Sequence, residues 1–189
     1  MGKENYTDRR ILHTRKFLRD ALIELLKEKP IGKITPTELC KRADINRNTF
    51  YSHYSSPEEL LERLEEELFS EIEKGVSDLS DALEATTMAC RAMRKHKDIT
   101  MVLLTNNADP SFSARVFEIS YQRSMDLLVR QDNDISDNYR QMIAAFSIHG
   151  GAAIMQVWVQ NGMVEEPEDI ALLIQKACMY GNQAIAPRT

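Results

Sequence analysis

The chain is predicted to be all-α, on three observations. Pro36, Pro57, Pro110 and Pro167 each follow a capping residue or a polar turn and precede helical periodicity, Pro30 follows a helix end, Pro187 lies in the tail, and none interrupts a periodic segment. Apolar residues pair at helical spacing, as in Leu39 with Ala43 and Phe50 with Tyr54. Strand signals are poor: the short β-like run Ile99–Leu104 is too isolated to build a sheet. About nine helices are expected, over 7–29, 35–42, 46–52, 57–74, 78–96, 98–106, 110–131, 137–161 and 167–184. With 189 residues the chain can bury a core in one or two small domains.

The first helix ends at Pro30-Ile31-Gly32. Thr35 is then a good N-cap, Pro36 occupies the first helical position, where a missing N–H costs nothing, and Glu38 completes a T-x-x-E capping box. Leu39 and Ala43 mark an inward face and Ile45 plugs a tight turn. Asn46 can cap the next helix, whose Phe50 and Tyr54 pack back on the first. Ser56-Pro57-Glu58-Glu59 repeats the capping box with proline and starts a further helix. Gln131-Asp132-Asn133-Asp134-Ile135-Ser136 is a polar, solvated connection, and there is no internal repeat or low-complexity segment.

Two short capped helices with a tight turn, and a third leaving them, make a helix-turn-helix. Its second helix keeps Arg47, Asn48, Thr49, Tyr51, Ser52 and His53 outward: arginine, amide, hydroxyls, a phenol and an imidazole, the chemistry that meets base edges and phosphates. A polar helix face is often merely solvated, and charge decides between the two. Residues 1–56 carry 12 Lys and Arg against 7 Asp and Glu, a net of +5, whereas residues 57–189 carry 12 against 22, a net of −10. The basic end of an acidic protein coincides with the helix-turn-helix, which points to DNA. The expected organisation is a DNA-binding domain over 1–56, a linking helix over 57–75, and a helical regulatory and dimerisation domain over 76–189.

The run Ile34–Leu60 resembles the DNA-binding domain of the tetracycline-repressor-like (TetR/AcrR) family of bacterial regulators. The matching elements are Ile34-Thr35, Leu39-Cys40, Ala43-Asp44-Ile45, Thr49-Phe50-Tyr51-Ser52-His53-Tyr54 and Glu59-Leu60, with the upstream helix from about Arg9 to Lys29. The resemblance covers roughly the first 75 residues; beyond them only the helical pattern and length agree. It implies a sequence-specific transcriptional regulator, a repressor that binds a near-palindromic operator as a dimer and is released by a small molecule shifting the spacing of its two reading heads. Thr49, Tyr51 and His53 match positions that commonly meet DNA in the family. Two departures stand out. Asp44 occupies a turn position where the family has glycine, and a positive φ is expected there. Ser55-Ser56-Pro57 stands where a lysine often reaches a phosphate, so the helix amides and serine hydroxyls are expected to do more of the phosphate holding.

Roles follow from side-chain chemistry. Arg47 suits bidentate contact with guanine, worth roughly 1–3 kcal/mol of discrimination, and Asn48 suits adenine. Thr49 and Tyr51 suit a thymine methyl or a phosphate; Thr35, His53 and Ser56 suit phosphates, with a capping or core role the alternative for His53. Lys33 and Lys41 supply general electrostatics.

In the regulatory half, Met88, Phe117, Tyr121, Met125 and Phe146 are the candidate lining of an adaptable apolar pocket for a small-molecule inducer; ordinary core is the competing explanation. Arg91, Arg94 and Arg123 fit either an anionic ligand or surface salt bridges. Along 137–161, Met142, Phe146, His149/Gly150, Ala153 and Val157 recur with Ile154 and Trp158 beside them, so this helix needs cover on more than one side. Ile170, Leu173, Ile174, Ala177, Cys178 and Gly181 form a stripe on the last helix. Two such helices from each subunit would build a four-helix homodimer interface, setting the recognition helices about 34–36 Å apart.

Other classes find little support. There is no H-E-x-x-H, Walker loop, G-x-G-x-x-G or G-x-S-x-G, and the four histidines lack metal-ligand spacing to the cysteines, so no enzyme, cofactor or metal is expected. Cys40, Cys90 and Cys178 are odd in number and far apart, which suits a reducing compartment. No segment approaches 18 uncharged apolar residues and the N-terminus is charged, so no membrane span and a cytoplasmic location are expected. The remaining alternative is a helical DNA- or protein-interaction factor without small-molecule sensing.

Overall fold

The computed structural model describes residues 3–76, 81–105, 115, 116, 118 and 136–185. Among them are eight α-helices, one 3-10 turn and no strand: α1 (Lys3–Glu28), the 3-10 turn Ile31–Lys33, α2 (Pro36–Ala43), α3 (Arg47–Tyr51), α4 (Pro57–Val76), α5 (Ala82–Lys95), α6 (Lys97–Thr105), α7 (Asp137–Gln160) and α8 (Pro167–Ile185). The helix expected over 110–131 lies outside the described residues except at 115, 116 and 118, which are helical. Helix α1 begins at Lys3, not near 7, and its polar first turn has no apolar period to reveal it.

The helix starts are set by side-chain oxygens accepting backbone N–H groups that have no partner within the helix. Thr35 Oγ1 accepts from Glu38 (3.3 Å), Asn46 Oδ1 from Asn48 (2.8 Å), Ser56 Oγ from Glu59 (3.2 Å) and Asp81 Oδ1 from Leu83 (2.8 Å). Helix α7 ends in a turn where Gly162 has φ +83° and Met163 φ +54°. The indole Nε1 of Trp158 pins that turn by donating to Glu165 O (3.1 Å), and Lys97 Nζ donates to Gly162 O (2.7 Å).

Leu18, Leu22, Leu25 and Leu26 repeat on one side of α1 and are fully buried. Around them gather Leu39, Cys40 and Ala43 of α2, Phe50 of α3, Leu60, Leu61, Leu64 and Leu68 of α4, and Ile99, Val102 and Leu103 of α6. The core around α1, α2 and α3 is therefore completed by α6, which begins at Lys97, after α4 and α5 in the chain. A second cluster joins Cys90 and Met93 of α5, Trp158 and Val159 of α7, Met163, and Ile170 and Ile174 of α8. Thr100, buried on α6, donates its hydroxyl to Met93 O (3.1 Å). The three cysteines are free thiols, and burial pushes Cys90 up to about 12.

By length and composition alone, Asp137–Gln160 is apolar enough to cross a membrane, a test that the core helix of a soluble protein also passes. Its scattered Gln, Ser and His hide this from a search for uninterrupted runs. It packs along α8, where a Cβ on Gly151 would meet Ile174 Cγ2 at 3.2 Å, and Cys178 donates to Ser147 O (3.7 Å).

Candidate nucleic-acid interface

The α2–α3 turn is built on Asp44, which adopts φ 53°, ψ 41°, the left-handed conformation expected at this position. Its N–H and that of Ile45 donate back to the end of α2, the latter to Cys40 O (3.0 Å). Ile45 is partly buried against the head's core, Phe50 is completely buried and Tyr54 packs beside it. This seating fixes which side of α3 faces out. Arg47, Asn48, Tyr51 and Ser52 are exposed; Thr49 and His53 are half-buried. Thr35, exposed, and Ser56, half-buried, sit at the starts of α2 and α4.

The exposed side chains are not independent. Arg47 Nη2 donates to Tyr51 Oη (3.3 Å), and its Cζ lies 5.7 Å from the centroid of the Tyr51 ring. The hydrogen bond to the Tyr51 hydroxyl raises the Arg47 guanidinium above its ordinary value. Ser52 Oγ donates to Thr49 O (2.7 Å).

The start of α4 departs from expectation. Glu59 reaches back past Ser56 and accepts both the N–H (2.7 Å) and the hydroxyl (2.6 Å) of Ser55. These bonds, the side-chain one first, hold the Glu59 carboxyl below its usual range. Ser55, expected to hold phosphate, already has an anion on both donors. Position N3 glutamate was the available signal, but spacing alone does not distinguish Ser55 from Ser56 as its partner.

Two of the head's cations are structural. Lys29 pairs with Glu38 (2.6 Å) and Arg42 with Glu28 (3.0 Å) and Glu24 (3.3 Å), fastening α1 to α2. Lys29 holds the Glu38 carboxyl low. Lys33, Lys41 and Arg47 are exposed and, among the described residues, in no ion pair.

The candidate ligand residues do not converge among the described residues. Met88 is half-buried on α5, Phe146 is 55% exposed on the outer side of α7, and Phe117, Tyr121 and Met125 lie outside the described residues. Phe146 stands on the side of α7 away from residues 151 and 158, which face α8 and the second cluster. Arg91 and Arg94 pair with Glu168 and Glu166, and with Lys95 and Pro167 they border a shallow cavity of about 300 Å³. A cluster missed from sequence joins α4 to the α5–α6 corner: Glu71 accepts from Lys95 Nζ (2.8 Å) and lies 2.6 Å from His96 Nε2. Its members are 24 and 25 residues apart, so no local pattern could have shown it.

Comparison with known proteins agrees with this geometry. Residues 18–64 match the family model of bacterial regulatory proteins of the tetR family, and residues 80–179 match a transcriptional regulator C-terminal region. The chain is 31% identical over 105 residues to the uncharacterized HTH-type transcriptional regulator YxbF of Bacillus subtilis (strain 168), a match covering 55% of this chain and 27% of that protein. The chain thus spans about a quarter of the length of that curated relative. Among solved structures it is similar to a TetR transcriptional regulator from Streptococcus agalactiae 2603V, with TM-score 0.64, 24% identity, and coverage of 93% of this chain and 98% of the other. It is also similar to NalD, the secondary repressor of the MexAB-OprM multidrug efflux pump in Pseudomonas aeruginosa, with TM-score 0.63, 14% identity and coverage of 89% and 96%. At these identities the structural likenesses speak for the fold, and the matched models for descent: the chain belongs to the TetR family of DNA-binding transcriptional regulators.

Proposed function

We propose that the chain is a homodimeric repressor that reads a near-palindromic operator through α3 and is released by a small molecule. The observation that carries the reading is the exposed face of α3, where Arg47, Asn48 and Tyr51 stand clear of a core that seats Phe50 completely. Arg47 reads guanine, Asn48 reads adenine, Thr49 and Tyr51 meet a thymine methyl or phosphate, and Thr35, His53 and Ser56 anchor phosphates. NalD, a repressor of similar fold, supports the sign of regulation by analogy.

Dimerisation is supported by Tyr139, Met142, Phe146 and Val157, large apolar side chains exposed on one stripe of α7, with Leu173 and Met179 exposed on α8. Gly151 packs within the chain, whereas a Cβ on Gly150 would meet nothing within 4 Å. A second copy laid on this face would bury it. The proposed division is a reading head over 1–56, the linking helix 57–75, and a regulatory and dimerisation part over 76–189, in the cytoplasm.

A mobility-shift assay on DNA upstream of the chain's own gene, with Arg47→Ala as control, tests the reading; equal binding by both proteins would overturn the base-reading assignment. A second reading, a regulator without small-molecule sensing, is favoured by Phe146 lying outside and by Met93 and Trp158 lying in solid core. Release of the shifted band by an added small molecule decides between the two, with Met88, Phe117, Tyr121, Met125 and Phe146 as the proposed lining.

A further inference from the structure

We infer that Tyr51 is a positioning residue: its phenol holds the Arg47 guanidinium in the orientation that reads guanine, so base specificity at that position depends on a hydroxyl that need not touch the base. The inference rests on the proposed role of Arg47.

The two residues are four apart on α3 and so lie one above the other on the exposed face. Arg47 Nη2 donates to Tyr51 Oη (3.3 Å), and the cationic carbon stands 5.7 Å from the ring centroid, within the range where a cation is drawn to an aromatic face. The ring leans on the core on one side and is open on the other: its centroid is 5.3 Å from that of the fully buried Phe50, at 66°, while Tyr51 is 47% exposed. The chain of constraint therefore runs from the core through Phe50 to Tyr51 and on to Arg47.

A lone exposed arginine must immobilise a long, rotamer-rich side chain when it meets a base, and that ordering opposes binding. Here one of five guanidinium N–H groups is engaged by Tyr51, leaving four, of which a bidentate guanine contact needs two. Because Tyr51 Oη accepts from Arg47, its own proton remains to donate to a DNA acceptor. A tyrosine acting only on a phosphate would strengthen binding to every sequence alike. A tyrosine acting through Arg47 strengthens binding to the preferred sequence selectively.

The experiment is selection from a random-sequence duplex library with the wild-type full chain. Dissociation constants are then measured for the selected duplex and for versions with each G·C pair replaced singly, using wild type, Arg47→Ala, Tyr51→Phe and the double variant. Tyr51→Phe keeps the ring and its contact with Phe50, and thermal unfolding checks that it folds. Arg47→Ala is expected to abolish the preference at one G·C pair, a loss of about ten-fold or more. Tyr51→Phe should lose about three- to ten-fold of that same preference and none in the Arg47→Ala background. Guanidinium order parameters of Arg47 in the free protein should fall in Tyr51→Phe. A uniform loss across all duplexes, or unchanged preference with unchanged Arg47 order, overturns the inference while leaving Arg47 as the reader. If Arg47→Ala alters no preference, the base-reading role itself is wrong and the inference falls with it.

Discussion

Glu59 holds Ser55 by both of its donors, the backbone N–H at 2.7 Å and the hydroxyl at 2.6 Å, and so places a carboxylate at the start of α4. That is where relatives of this family often direct a lysine at a phosphate. Ser55→Lys should therefore tighten binding to any duplex several-fold at low salt. It should also steepen the slope of log affinity against log salt by about one. Glu59→Gln, which keeps a hydrogen-bonding cap but removes the charge, should tighten binding without adding that unit of slope. Titrations of a fixed duplex at several salt concentrations measure both, and an unchanged slope in Ser55→Lys would place this helix start away from the DNA.

Asp44 carries the turn in a left-handed conformation that costs an L-residue roughly 1–2 kcal/mol, somewhat less for Asp. Asp44→Gly removes that cost and gives back part of it as chain entropy. The net expectation is stabilisation of about 0.5 kcal/mol, a rise of roughly 1–2 °C in Tm for a chain of this size. Asp44→Val should instead destabilise by more than 1 kcal/mol. A calorimetric ranking of Gly above Asp above Val checks the order.

The difference between what was legible and what was not follows from range. Thr35, Asn46 and Ser56 each act on an N–H two or three residues away, so their capping could be read directly, as could the positive φ at Asp44. The apolar recurrence at Met142, Phe146 and Val157 was also visible. Periodicity, however, records that side chains share a face and not what that face meets, so it does not show that Phe146 is 55% exposed. The Lys29–Glu38 and Glu71–Lys95–His96 contacts depend on how helices are laid together, which no local spacing encodes.

Glu71 gives a pH dependence with a definite sign. Hydrogen bonds from Lys95 and then His96 lower its folded-state pKa. A carboxylate lowered in this way contributes stability that is present above its unfolded value, about 4.3, and is lost as pH falls through the folded value. Glu71→Gln should therefore be less stable than wild type at pH 7, and the gap should close below about pH 4. The side chain is 34% exposed, so the gap is small and shrinks further in salt. Denaturant midpoints of both proteins across this range measure it; a constant gap would show that the pair is not ionic in solution.

Ile99 belongs to α6 yet is 1% exposed within the core of the reading head. Ile99→Ala should cost about 2–4 kcal/mol through lost burial and the cavity left behind. Hydrogen exchange should show the loss in α1 and α4 as well as in α6, since all three enclose the same site. Deprotection confined to α6 would mean that the head is stable by itself.

On the proposed dimer, folding and assembly rest on different residues of α7. Phe146 is 55% exposed in the protomer, whereas Ala144, two residues earlier, is completely buried. A charge at the two positions should act on different equilibria. Phe146→Glu introduces a solvated group into the protomer but an unpaired one into an apolar interface, so the protomer should keep its helicity and Tm at high dilution while the dimer dissociates. Ala144→Glu buries a carboxylate within the chain and should unfold it. Loss of the dimer unlinks two reading heads, so Phe146→Glu should also bind a two-half-site duplex as weakly as a single half-site. Sedimentation equilibrium paired with circular dichroism tests the separation. A wild type that stays monomeric at tens of micromolar, or a Phe146→Glu variant that remains dimeric, would remove α7 from the interface.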